Sequence, residues 1–236
     1  MESDEQLNAP YFEQMQGPAL ESFTASDEYQ SWIQAKQSSL LLLSGHNDVS
    51  IAGVDQCWLS PIAVSRIAEL VEQTEAPLHA YYLFPQRGAL LYQALSVILI
   101  QLLQQKSEAL RHKARFDELM IALHDLQEEK PSDDRDEKLI SFNKLLLRVM
   151  EFFSPQDEVF IIIDRADRCH DLRNGLNHRK TLLKSLVMMV EAAKCKLKVL
   201  VVISGNQWKV EERRDELGVK EAHKVIVHAL TQKVII

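Results

Sequence analysis

The chain has 236 residues, 46% of them hydrophobic and 26% charged, which is the balance of an ordinary globular protein and excludes wholesale disorder. Lys and Arg total 27 against 34 Asp and Glu, a formal charge of −7, so general affinity for nucleic acid or an anionic membrane is not expected. Cys57, Cys169 and Cys195 are odd in number and far apart, which fits a reducing compartment better than a disulfide framework. The opening Met1-Glu2-Ser3-Asp4-Glu5 is the reverse of a signal-peptide n-region. No apolar run approaches the roughly 18 residues that span a bilayer. These features predict a soluble, cytoplasmic protein.

Residues 1–28 read as a polar arm containing Pro10, Gly17 and Pro18, and residues 29–236 as one domain. Asp27 is placed to cap a helix whose apolar face is Tyr29, Trp32 and Ile33. Leu40-Leu41-Leu42-Leu43, closed by Ser44-Gly45, reads as a buried strand. Residues 46–59 are loop-like. Ser60-Pro61 then carries the signature of a helix start, with Ser60 as N-cap and Pro61 at the first position. Ile62, Ile67, Leu70 and Val71 give that helix an apolar side.

A second strand is predicted over Leu78–Phe84 and an apolar helix from Ala89 to about Gln105, with a more polar helix to Leu126. The stretch Glu128–Glu137 is a charged break, and Leu139–Phe153 is amphipathic. Val159-Phe160-Ile161-Ile162-Ile163-Asp164 is the strongest strand signal. A helix over Leu182–Ala193, a strand over Leu197–Ser204 and a last strand over Val225–His228 complete the pattern. Strands apolar on both faces and alternating with helices predict an α/β three-layer sandwich, its mostly parallel sheet flanked by helices. In such folds ligands lie at the carboxyl ends of strands. Attention therefore falls on Ser44-Gly45, Asp164 to Cys169, and Ser204-Gly205.

The ordered set of motifs resembles the NACHT-type P-loop NTPase domain of fungal STAND proteins. The resemblance rests on Tyr29-Gln30-x-Trp32 ahead of the Leu-rich strand and on the helix carrying Gln101-Leu102-Leu103. It rests equally on Ile161-Ile162-Ile163-Asp164-Arg165-Ala166-Asp167-Arg168-Cys169, which is similar to the Walker B segment, and on the strand ending at Ser204. It spans roughly residues 29–230 and implies a vestigial nucleotide and Mg²⁺ site at Gly45, Asp164, Asp167 and Ser204.

Departures from the family pattern are as informative as the matches. A working P-loop reads G-x-x-x-x-G-K-[ST]: backbone N–H groups cradle phosphate, Lys neutralises it, and the hydroxyl holds Mg²⁺. After Gly45 no G-K-[ST] follows, and no lysine occurs between Lys36 and Lys106. Asp48 and Asp55 would repel a triphosphate. Fifteen residues separate Gly45 from Pro61, so the strand–loop–helix turn is expanded. Pro61 lacks an N–H and Ser60 can cap another, so a cap made by the protein would take over part of the ligand's role. The family's water-polarising Glu aligns with Arg168, which cannot accept a proton, and its strand-end Arg aligns with Gly205.

The expectation is a pseudo-NTPase scaffold with no catalytic residue, no metal ligand and no cofactor. Such a scaffold would work in signalling or regulation through an unidentified protein partner, in an oligomeric state that the sequence leaves open. The alternative is a chain that still takes ATP or GTP with Mg²⁺, using Asp164 for the metal and Arg66 for phosphate. Among other groups, Cys169-His170 with His178 fits no zinc spacing. His46 with Asp48 and Asp55 reads as a polar loop. The basic stretch Arg111 to Arg115 reads as a solvated helix face.

Overall fold

The computed structural model of the chain describes residues 23–47, 57–73, 77–128, 135–170 and 178–232. Helix α1 (Asp27–Gln34) leads into strand β1 (Ser39–Asn47), and helix α2 (Ser60–Glu72) precedes strand β2 (Leu78–Leu83). Helices α3 (Leu91–Gln105), α4 (Lys113–Glu128) and α5 (Arg135–Met150) follow, then β3 (Glu158–Asp164), α6 (Arg179–Ala192), β4 (Lys196–Ser204) and β5 (Val225–Gln232). The sheet has the order β2-β3-β4-β1-β5, and every pairing is parallel. The predicted α/β sandwich is the observed one, with all five described strands parallel.

Alternating strand residues feed two separate cores, as period-two geometry requires. Leu41, Leu43, Phe160, Ile162, Leu200 and Val202 face α1 and α2. Their neighbours Leu40, Leu42, Ile161, Ile163, Val199 and Val201 face the layer built by α3, α5 and α6. Both faces are buried, so the strands can be apolar throughout.

Several predicted boundaries move. Ser26, not Asp27, caps α1: its hydroxyl accepts from Tyr29 N at 3.3 Å, and Asp27 is the first helical residue. β1 continues past Gly45 to Asn47 because β5 pairs with it as far as Gln232. For the same reason β5 runs four residues beyond the predicted His228. Ala89 is not helical; it bridges Cys169 in parallel fashion, and α3 starts at Leu91. Phe23 is buried and stacks edge-on against Tyr29 at 5.0 Å, so core packing reaches back to that residue.

Two polar features complete the frame. The outer edge of β2 is covered by α3: Gln105 Oε1 accepts from His79 N and Gln101 Oε1 from Tyr81 N, both at 2.7 Å, while Gln105 Nε2 donates to His79 O. These bonds occupy backbone groups that would otherwise template a further strand.

Lys198, wholly buried in β4, donates to Trp32 O at 2.5 Å, Ala35 O at 2.6 Å and Ser39 Oγ at 3.1 Å. A cation thus satisfies carbonyls at the C-terminal end of α1, where helix geometry leaves them without partners. Burial, with Lys196 as a lesser cause, lowers its pKa to about 8. Lys198→Ala is expected to destabilise the fold by roughly 2–3 kcal/mol, because those acceptors are left buried and unpaired. Chemical unfolding followed by tryptophan fluorescence measures this, since Trp32 lies at the clamp.

Candidate functional site at the carboxyl ends of β1, β3 and β4

β1 leaves the sheet through α2 toward the β2 edge, whereas β4 leaves toward β5 on the opposite edge. Neighbouring strands whose connections diverge leave a crevice at their carboxyl ends. All four residues singled out from the sequence lie there. Gly45 and Ser204 are register partners on β1 and β4, and Gly205 N donates to Gly45 O at 2.7 Å. Asp164 ends β3, and Asp167 follows in a 3₁₀ turn (Ala166–Arg168).

Asp167 is a cross-link. Its carboxylate accepts from Ser204 N at 2.9 Å, tying the turn after β3 to the end of β4. It also pairs with Arg165, whose Nε lies 3.1 Å from Oδ1 and whose Nη2 lies 2.8 Å from Oδ2. Both partners are buried. Arg165 makes this fork from φ 58°, ψ 44°, a left-handed conformation that costs an L-residue about 1–2 kcal/mol. Asp167 and Arg165 therefore answer each other inside the protein.

Asp164 differs. Burial pushes its carboxyl up to about 6, opposed by a hydrogen bond from the Ser60 hydroxyl and by Arg165. Its Oδ1 is buried without a hydrogen-bond partner. The structure thereby corrects the expected role of Ser60. The N-cap of α2 is Leu59, with no side-chain cap bond; Ser60 is inside the helix and its hydroxyl serves Asp164. Sequence reading missed this pairing because it counted the P-loop from Gly45. Counted from Gly53, Gly53-Val54-Asp55-Gln56-Cys57-Trp58-Leu59-Ser60 keeps the spacing of G-x-x-x-x-G-K-[ST], with Trp58 and Leu59 in place of Gly and Lys.

The first turn of α2 offers little to an anion. Ser60 N donates to Cys57 O and Ile62 N to Leu59 O, each at 3.0 Å, and Pro61 has no N–H. Leu59 is fully buried, and its side chain, with that of Trp58, packs against Gly45 so closely that a Cβ there would lie 2.9 Å from Leu59 Cδ1. Trp58 Nε1 donates to His46 O at 3.3 Å, and Cys57 Sγ lies 3.6 Å from Ile203 O. Residues 48–56, with Asp48 and Asp55, lie outside the described residues.

The remaining candidates resolve as packing. Arg66 does not reach the crevice: its guanidinium lies 5.0 Å above the Phe160 ring and pairs with Glu69 at 2.7 Å, both partway down α2. The expectation that it could stand in for the missing lysine is corrected by that distance along the helix. Cys169 is fully buried and burial holds its thiol at about 12, far from a thiolate nucleophile. The His170 ring occupies the space over Gly88, where a Cβ would meet it at 2.0 Å. His46 bonds Ser44 Oγ at 3.2 Å and Glu211 Oε1 at 2.7 Å through the same nitrogen, which holds the ring over Gly205 and is not the geometry of a proton relay. Among the described residues no group of three or more His, Cys, Asp and Glu side chains is arranged to hold a metal ion.

Residues 19–203 match the family described as nephrocystin 3, N-terminal. The chain belongs to the nephrocystin 3 N-terminal family. That family is related to the NACHT-like P-loop NTPases, in keeping with the parallel sheet. The matched region runs from just before α1 to the penultimate residue of β4, so it takes in Gly45, Asp164 and Asp167, and stops one residue short of Ser204. No curated protein matches the chain.

The family relation implies a nucleoside triphosphate with Mg²⁺, and the residues fit that group unequally. The buried Asp164 oxygen without a partner, beside the Ser60 hydroxyl, is a donor pair suited to a hydrated Mg²⁺. The triphosphate fits less well: Leu59 stands at the spacing of its lysine, and Ser60 N and Ile62 N donate to Cys57 O and Leu59 O. No helix among the described residues is long and apolar enough to cross a membrane.

Proposed function

We propose that this nephrocystin 3 N-terminal family domain is a degenerate NACHT domain of the fungal STAND type. In this reading it does not hydrolyse nucleotide and acts as a cytoplasmic scaffold, through protein–protein contact in signalling. One observation carries the reading: at positions 60 to 62, where a P-loop helix points N–H groups at phosphate, Ser60 and Ile62 donate to backbone carbonyls and Pro61 has nothing to donate. Two substitutions support it. Leu59 replaces the phosphate-neutralising lysine, and Arg168 stands at the water-polarising position, where a permanently protonated side chain cannot act as a base. The net charge of −7 supports a protein partner over nucleic acid.

Calorimetric titration with ATP and GTP, each with and without Mg²⁺, tests the reading. Expected is no affinity tighter than about 1 mM and no phosphate release. Micromolar, Mg²⁺-dependent binding would overturn it.

A second reading is favoured by the Asp164 Oδ1 that lacks a partner beside Ser60. Here the chain keeps Mg²⁺–nucleotide binding as a conformational clamp. Binding without phosphate release, abolished in Asp164→Ala, selects that reading.

A further inference from the structure

Gln101 and Gln105 lie one helical turn apart on α3, each three residues after a fully buried side chain, Ile98 and Leu102. Both flank the buried face of the helix and reach the outer edge of β2. Gln105 Oε1 accepts from His79 N and Gln105 Nε2 donates to His79 O, so one amide takes up both backbone groups of that residue. Gln101 Oε1 accepts from Tyr81 N at 2.7 Å. This is the bonding that a neighbouring strand would offer.

The match is geometric. Four residues of helix rise about 6.0 Å, and two residues of strand about 6.6 Å. α3 runs opposite to β2, so Gln105 falls on His79 and Gln101 on Tyr81. The edge beneath the amides has no guard in its own sequence. Leu78-His79-Ala80-Tyr81-Tyr82-Leu83 contains no proline, lysine or acidic residue, and its two adjacent tyrosines favour a strand. The edge is also self-complementary. His79 and Tyr81 turn their N–H groups away from β3, and within a strand the C=O of a residue points to the same side as its N–H. Against an antiparallel copy of β2 centred on Ala80, His79 faces Tyr81 of the other copy, and each such pair exchanges two hydrogen bonds.

We propose that the two glutamines form an autoinhibitory contact: they stand in for a strand and keep two copies of this chain from joining edge to edge through β2. Freed of them, β2 pairs with β2 of a second copy, antiparallel about Ala80, and the two sheets become one. β2 lies at one end of the sheet only, so this pairing closes at two copies. The contact uses no group of the strand-end crevice, and its test is separate from nucleotide titration.

Sedimentation equilibrium of the full chain, from about 1 to about 200 μM, tests this with Gln101→Ala/Gln105→Ala, since alanine keeps the helix and removes the amides. The double variant is expected to dimerise at least about tenfold more tightly than the parent. Gln101→Asn/Gln105→Asn, still polar but too short to reach the edge, should do the same, and it serves where the alanine variant folds poorly. His79→Pro removes an N–H that points away from β3. Added to either double variant, it should return association to the level of the parent. Hydrogen exchange reads the same edge. At about 1 μM the His79 and Tyr81 amides should exchange at least about tenfold faster in the double variants than in the parent, and slow again at about 200 μM as copies pair. Double variants that associate no more than the parent overturn the proposal. Association that survives His79→Pro, or exchange that the substitutions leave unchanged, overturns it as well.

Discussion

Asp167→Ala is expected to cost about 3–5 kcal/mol of folding stability, a large part of what a domain of this size possesses. The loss has two sources. Arg165 would keep a buried guanidinium without the carboxylate that grips it through Nε and Nη2, and Ser204 N would lose its acceptor. The backbone would also be left holding Arg165 at φ 58° without the contact that compensates for it. Asp167→Asn keeps shape and one acceptor and should cost about half as much. Guanidinium unfolding at neutral pH reads both values. A midpoint unchanged in Asp167→Ala would mean that the ion pair does not form. The partners described for this acid, Arg165 and Ser204 N, are the chain's own.

Asp164 should respond to pH in the opposite sense to a paired carboxylate. Its folded pKa of about 6 lies above the ordinary 3.8, so the folded state holds the proton more tightly than the unfolded chain. Below about pH 3, well under the unfolded value of 3.8, both states are protonated and the contribution is fully present. As pH rises toward 6 the unfolded chain releases its proton first, and about 3 kcal/mol is lost by pH 7. Asp164→Asn, which cannot ionise, should therefore be more stable than the parent at neutral pH, with most of the difference gone by about pH 4. Unfolding free energies of both proteins, measured from pH 4 to 7.5, give the difference. A parent and variant that run parallel across that range would show that the carboxylate is not desolvated as described.

The sequence by itself determined the layers. Leu40 to Leu43, Val159 to Ile163 and Val199 to Ile203 are apolar at every position, and only a strand buried on both faces tolerates that. It also placed Asp164 and Ser204 at strand ends, with Gly45 and Asp167 within three residues of one, because a hydrophobic run shows where it stops. What partners those ends take was decided in three dimensions. Whether Asp167 would meet a metal or Arg165 depends on one left-handed residue, which no periodicity encodes. Ser60 looks like a helix cap in a local window, yet its hydroxyl serves a carboxylate 104 positions away. Lys198 is a charged interruption in an apolar strand until the fold brings the end of α1 over it. Local pattern follows from solvent exclusion along a single segment. Polar pairing follows from which segments the topology brings together, and a residue's neighbours in sequence carry little record of that.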